Sequence, residues 1–450
     1  MPSKSRPHAV ATQRRSAPAP EPAIVRNVAE GLRRTRAPAA SRGAGIRMLD
    51  LDCGAQLAAE VLPERDTVAL IFRMLTGAAD DPPRLAGLSS IVERTLSKGT
   101  RAHSGRGIAD AFDRLGAQWT TVSGRQSTVL RIICLPEFVH ACTQMAAELL
   151  TRPSFPADAV RVNVDHALLD LRHMQDDPQD VVRLMIQRLA LGPVYGRHVG
   201  GAAGTLPRIT RAAVLEHWRA HYAAGRMQIS AAGPVDADAL ARDCERLFAR
   251  FGDAGRAGRE RVTPVFSPSR AHRAKKLKQQ YIAMVLPGVE RGDPREPAEQ
   301  VLLGVLSGGM SGRLFTEVRE KQGLVYWVGA WNENPRGCGV IHLGASTTPE
   351  RCRTTHDTLL RELRRVGEDL TEEETGRAQN QLIAQMHTES DLTRARAANL
   401  SDDLFHFDAA IGAEARIEAL RGVTRAHVLD YARSLDLSRM CTATIGPTRL

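Results

Sequence analysis

Ser90, Glu93 and Arg94, in the run Gly87-Leu-Ser-Ser-Ile-Val-Glu-Arg-Thr-Leu-Ser-Lys-Gly-Thr100, hold the spacing of a hydrolytic metal site. Side chains at i and i+4 leave the same face of a helix, so two histidines there can share a zinc ion. A carboxylate between them can take a proton from metal-bound water. In this chain the spacing is kept and the ligands are absent. Ser90 and Arg94 stand at the two imidazole positions, and only Glu93, at the general-base position, has the required residue type. Arginine stays cationic at any working pH and repels a metal. Taken alone, Ser-x-x-Glu-Arg is also an ordinary helix surface.

Two further groupings have the residue types of a site. His217 and His221 lie at i and i+4, but the one carboxylate beside them is Glu216. That pattern favours packing over metal binding. The run Ser307-Gly-Gly-Met-Ser-Gly312 is glycine-rich, but no lysine follows it and no βαβ pattern precedes it, which argues against a phosphate loop.

The chain that must position these residues has 450 residues, 43% of them apolar and 25% charged, as in an ordinary soluble globular protein. Aromatics make up only 4%, so Leu, Val, Ile and Ala must form the cores. The net charge of +10 is concentrated at one end. Residues 1–47 carry +8, leaving +2 for the rest. A Pro/Ala/Arg-rich arm of that kind is expected to be disordered and does not imply a nucleic-acid-binding body. It has no apolar core of a secretory signal, and no run reaches the ~18 to 20 apolar residues of a membrane span. Seven cysteines without a Cys-x-x-Cys pair suit reduced thiols, which points to the cytoplasm.

The chain repeats itself. Ile209-Thr-Arg-Ala-Ala-Val-Leu-Glu-His-Trp matches Val423-Thr-Arg-Ala-His-Val-Leu-Asp-Tyr-Ala, each with a threonine (Thr210, Thr424) placed to cap a helix. Each is followed by a short strand ending in Gly-Pro, Met227–Pro234 and Met440–Pro447, at offsets of 214 residues at the threonines and 213 at the glycines. In this register His217 corresponds to Tyr431, a packing residue. Periodicity places strands at Gln56–Leu62, Thr67–Leu75, Gln118–Ser123 and Ser127–Leu135 in the first half. The second half offers Gln280–Leu286, Val325–Asn332 and Gly339–Ala345. Helices are predicted at Leu88–Leu96, Arg106–Leu115, Pro136–Leu150, Ala157–Met174 and Asp180–Ala190. They recur at Ala298–Leu306, Gly312–Glu320, Glu350–Val366, one long Glu372–Ala398, and Arg425–Ser434. The class is α+β, with a mixed or antiparallel sheet in each half and helices on one face.

With these blocks assembled, the chain resembles the pitrilysin/insulinase superfamily, in particular two-domain subunits like those of mitochondrial processing peptidase. The resemblance runs from Met48 to Pro447. Besides Gly87–Thr100 it rests on Leu75-Thr-Gly-Ala-Ala-Asp-Asp-Pro-Pro83, Asp176-Asp-Pro178 and Tyr195-Gly-Arg-His198. Its most specific part is Leu306-Ser-Gly-Gly-Met-Ser-Gly-Arg-Leu-Phe315 followed by Val318-Arg-Glu-Lys-Gln-Gly-Leu-Val-Tyr326. The resemblance implies two homologous domains forming half of a clam-shell. It also implies a third, acidic zinc ligand some seventy-odd positions past the second histidine. That register falls on Asp170, 76 residues beyond Arg94, where the family has Glu. His166 and His173 flank it as an alternative ligand set. Because Ser90, Arg94 and Asp170 all depart from the family pattern, this half is expected to hold no zinc, and a direct Arg94–Asp170 ion pair is expected where the metal would have bridged. The resemblance further implies that Arg319 and Tyr326 are the distal pair that reaches substrate and a developing oxyanion.

The expected organisation is a basic arm (1–47), an N-terminal domain with a vacated zinc site (48–252), a linker (253–275) and a C-terminal domain with the Arg/Tyr pair (276–450). The expected function is that of a non-catalytic subunit. Its partner would be a homologous zinc-bearing subunit, its ligand a peptide, and its own cofactor none. A scaffold with no peptidase role is the alternative.

Overall fold

The computed structural model describes residues 45–252 and 261–450. The expectation for residues 1–44 and the first part of the linker lies outside them. In the first half the order is β1 (Gly45–Asp50), β2 (Gln56–Val61), β3 (Val68–Met74), α1 (Leu88–Leu96), α2 (Gly105–Arg114), β4 (Gln118–Ser123) and β5 (Thr128–Cys134). Then come α3 (Val139–Thr151), α4 (Ala157–Asp176), α5 (Pro178–Tyr195), α6 (Arg211–His221), β6 (Met227–Gly233) and α7 (Ala237–Phe248). Residues 45–47, assigned to the arm by composition, belong to β1.

The second half begins with β7 (Arg270–Ala274), inside the stretch expected as linker, and continues through β8 (Gln280–Gly288) and α8 (Glu296–Ser307). A π-helical segment (Leu314–Lys321) leads to β9 (Val325–Glu333) and β10 (Gly339–Thr347). The half closes with α9 (Cys352–Asp369), α10 (Glu372–Ser390), α11 (Thr393–Phe407), α12 (Ala413–Arg421), α13 (Arg425–Ser434) and β11 (Cys441–Gly446). The single long helix predicted over 372–398 is therefore two helices. They break at Asp391-Leu392, where Leu392 is extended (φ −101°, ψ 122°). No Gly or Pro marks the turn, and the helix α12 was not predicted at all.

The two sheets share a topology. The first has the order β1-β2-β6-β3-β5-β4 and the second β7-β11-β8-β10-β9. Strand β6 lies parallel to β2 and antiparallel to β3; β11 lies parallel to β7 and antiparallel to β8. The repeat seen in the sequence is thus a helix and a central strand in each half. Thr210 Oγ1 accepts from Ala213 N (3.2 Å) and Thr424 Oγ1 from His427 N (3.3 Å), so both helices start on the expected caps.

One face of each sheet carries most of its helices over an apolar core. In the first half Phe72, Ile91, Phe112, Met145, Phe155 and Phe248 are fully buried together. Each contributes on the order of 1.5–3 kcal/mol by leaving water. The opposite face of each sheet is covered by a helix from the other half. Helix α5 places Val181, Val182 and Ile186 on Val285, Val340 and Ile445 of the second sheet. Helix α11 lies on the first sheet and answers its polar groups. Ser230 Oγ donates to Ala397 O (2.9 Å), Gln228 Nε2 to Leu404 O (2.8 Å), and Arg73 Nε to Ser401 Oγ (2.9 Å).

Candidate functional site

Helix α1 starts on Gly87, whose φ of +102° suits glycine; a Cβ there would also come within 2.9 Å of Gly201 Cα. With no side chain to cap the helix, Asp81 does so from the preceding loop. It accepts from Gly87 N and Ser89 N, both at 2.8 Å, and lies 2.6 Å from Ser89 Oγ. Burial raises the Asp81 pKa, only partly offset by these donors and by Arg197. Arg197 donates to Asp81 O at 2.8 Å, which ties in the loop from the Tyr195–His198 block. The Ser89 hydroxyl also reaches His217 Nε2 at 3.2 Å. Burial and the neighbouring His221 lower the His217 pKa to about 3, so the imidazole is neutral. Its ring centroid is 4.4 Å from that of His221. His217 therefore packs α6 against α1.

On the next turn Ser90 and Glu93 are buried. Glu93 accepts from the Thr121 hydroxyl on β4; burial raises its pKa, with Thr121, Arg94 and Lys98 opposing. The guanidinium of Arg94 meets Asp170 on α4, with Nη2 2.7 Å from Oδ2. This is the expected ion pair, and it joins the two helices that a ligand set would have joined. The donor set does not fit zinc. A guanidinium cannot ligate, the Asp170 carboxylate is engaged by it, and Ser90 offers a neutral hydroxyl. His166 and His173 are exposed on α4. Among the described residues no three His, Cys, Asp or Glu side chains converge to hold a metal.

Arg319 and Tyr326 come together in the second half through two irregularities. Arg319 lies in the π-helical segment, which is the element predicted as an α-helix over Gly312–Glu320. Tyr326 is the extra residue of a β-bulge, because Val325 pairs with Thr347 and Trp327 with Ser346. Bulges and π-turns re-aim side chains and recur at functional sites. Here they leave Tyr326 77% exposed. The Arg319 guanidinium lies 5.0 Å from the Phe315 ring centroid and 5.9 Å from that of Tyr326. Such cation–π contacts hold the charge in place without neutralising it. Among the described residues no carboxylate lies within salt-bridge distance of Arg319.

The first half meets β9 at its other end. Arg125 Nη1 lies 2.6 Å from Glu333 Oε1, and Gln187 Nε2 donates to Glu333 Oε2 at 3.4 Å. Burial would raise the Glu333 pKa, but His342 and Arg125 pull it down to about 2. Tyr326 is seven residues up the strand, roughly 24 Å at about 3.4 Å per residue. The pair therefore stands at the end of β9 away from those contacts.

Phe315 and Trp327 beside this pair, and Trp331 farther along β9, are not picked out as site residues by the sequence reading. Phe315, beneath Arg319, was signalled by its i, i+4 spacing. Trp327 and Trp331 were signalled by composition, since they are two of only four tryptophans and fall within five residues.

The family model described as insulinase (peptidase family M16) matches residues 57–199, and the one described as peptidase M16 inactive domain matches 208–382. An uncharacterized zinc protease of Streptomyces coelicolor is 27% identical, over 90% of this chain and 90% of its own length. One of Rickettsia bellii is 24% identical, over 86% and 94%. Among solved structures, a peptidase M16 inactive domain from Pseudomonas fluorescens superimposes with a TM-score of 0.83 at 21% identity, covering 90% of this chain and 99% of that one. A protease from Helicobacter pylori does so with a TM-score of 0.82 at 14% identity, covering 90% and 100%.

Proposed function

The chain belongs to the insulinase (M16) peptidase family, and from that membership we propose that it is the non-catalytic subunit of a two-chain zinc peptidase. In this reading a homologous zinc-bearing subunit hydrolyses the peptide bond. This chain walls one side of the chamber and lends Arg319 and Tyr326 to the partner's site. The observation that carries the reading is the contrast within one chain. The zinc positions of α1 are closed by the Arg94–Asp170 pair, while Arg319 and Tyr326 are held together and exposed. A tyrosine hydroxyl can donate to a developing oxyanion, and an arginine adds charge there without acting as a base. All seven thiols are free and six are buried, which suits assembly in the cytoplasm.

The test is reconstitution with a zinc-bearing homologue from the same source. Cleavage of a quenched fluorescent peptide is expected from the mixture and not from this chain alone. Replacing Arg319→Ala together with Tyr326→Phe is expected to lower kcat by about 10²–10³-fold with the melting temperature unchanged. Cleavage that is indifferent to both changes sinks the substrate role and leaves the scaffold reading.

A further inference from the structure

Between α5 and the outer face of the second sheet lies a cavity of about 300 Å³. Val182 and Ile186 form one wall, and Leu343 and Gly344 of β10 part of the other. Trp327 and Trp331 border it from β9, the terminal strand of its sheet. Their ring centroids are 6.1 Å apart. Trp331 is stacked on the buried His342, with centroids 5.2 Å apart and the planes at 4°. Gly344 clears the floor for them, since a Cβ there would come within 2.9 Å of the Trp327 ring and 3.3 Å of Trp331. The two indoles nonetheless remain 42% and 39% exposed. Fixed aromatic surface left wet beside a cavity is what a ligand pocket looks like before its ligand arrives.

We propose that this cavity is a side-chain subsite that takes one aromatic residue of a bound peptide. The volume suits a single ring-sized group, given that a cavity of about 150 Å³ accepts benzene. Charge decides against the alternatives. Asp180 and Arg183 both border the cavity but are already paired with each other at 2.8 Å, so neither is a free partner for a charged side chain. An aromatic group brings no charge of its own to be desolvated and covers both indoles. Continuity with the Arg–Tyr pair identifies the ligand as a peptide. Tyr326 and Trp327 are consecutive, and the bulge that turns Tyr326 outward leaves Trp327 bordering the cavity. The inference rests on the peptide-binding role given above and adds a preference in the sequence bound.

The test uses this chain alone and fluorescence anisotropy. The probes are three labelled peptides, identical except for a single Phe, Ala or Lys at the central position. The Phe peptide is expected to bind about tenfold or more tighter than the other two, the order of the gain from burying one phenyl group. Ala283→Leu, which fills the cavity from β8, and the double change Trp327→Ala with Trp331→Ala should each reduce the Phe peptide to the level of the Ala peptide. If the tryptophan variant fails to fold, Ala283→Leu decides. Equal binding of the Phe and Ala peptides, no binding of any, or a preference that survives Ala283→Leu overturns the subsite. Arg319→Ala with Tyr326→Phe should leave the Phe-to-Ala ratio intact. A failure of cleavage in the mixed complex is thus read separately from a failure of the subsite.

Discussion

The crossing of α1 and α4 in the first half and that of α8 and α10 in the second occupy corresponding places in the repeat, and they are filled by opposite means. In the first, Arg94 and Asp170 face each other as ions, with side chains 32% and 55% exposed. In the second, Gly304 packs on Ala378, close enough that a Cβ on the glycine would be 3.1 Å from the Ala378 Cβ. Where each of α1 and α8 meets the capped helix of its repeat, by contrast, both halves use a buried polar contact. Ser89 meets His217 in the first half, and Glu299 accepts from Tyr431 in the second and is fully buried. Polar groups at a helix crossing keep the helices apart and the space between them wet. A glycine lets them close and leaves no room for a ligand. The first half thus has the geometry of a site and the wrong residues for it. In the second half the two helices close on each other at Gly304, and Tyr326 stands exposed on the edge strand β9 beside Arg319 of the π-helical segment.

That comparison can be broken in four ways. Restoring Ser90→His and Arg94→His with Asp170→Glu should give a chain that retains about one equivalent of zinc through gel filtration, by atomic absorption. A refolded, metal-free variant would mean that α1 and α4 do not hold a ligand register. At the other crossing, Gly304→Leu should destabilise by about 2–3 kcal/mol in urea unfolding, because the neighbour Ala378 has no flexible end to yield. A neutral result would refute the close packing there.

The α1–α6 contact should be sensitive to acid. The folded-state pKa of His217 lies near 3, below the ordinary 6.5, so the unfolded chain binds the extra proton between those values. Its contribution is full above pH 6.5 and is lost as the pH falls towards 3, amounting to about 2 kcal/mol by pH 5. His217→Gln should flatten that part of the stability profile; an unchanged slope from pH 6.5 to 5 would exclude the buried neutral imidazole. The smallest effect is expected at the ion pair itself. Arg94→Ala should cost at most about 1 kcal/mol, because both partners are substantially exposed. A loss several times larger would show that the pair holds the two helices together far more strongly than its exposure allows.

Much of this was legible in the sequence wherever a single helix or strand decided it. The pairing of Arg94 with Asp170 could be expected from the family resemblance, whose register puts the two residues at positions that a zinc ion would have bridged. The Thr210 and Thr424 caps marked the same helix in each half. Legibility ended where tertiary contacts shape the backbone. Nothing in Asp391-Leu392 announces a helix break, since neither residue is a breaker; the chain turns there so that α11 can reach the first sheet. The π-helical segment reads as an ordinary α-helix, and the bulge at Tyr326 depends on the register of β10, which no local pattern contains. The space beside Trp327 and Trp331 needs α5 from the other half, more than a hundred residues away in the chain.

The reciprocal cover of each sheet by the other half's helix also bears on ancestry. Helices α5 and α11 follow equivalent positions in the repeat, so a chain of half this length would carry both a helix with no sheet to lie on and a sheet face with no helix. Two such chains satisfy each other by domain swapping about a two-fold axis, which makes an obligate homodimer the natural state of the unduplicated form. Joining two copies end to end removes the concentration dependence of that pairing. It also frees each copy to diverge.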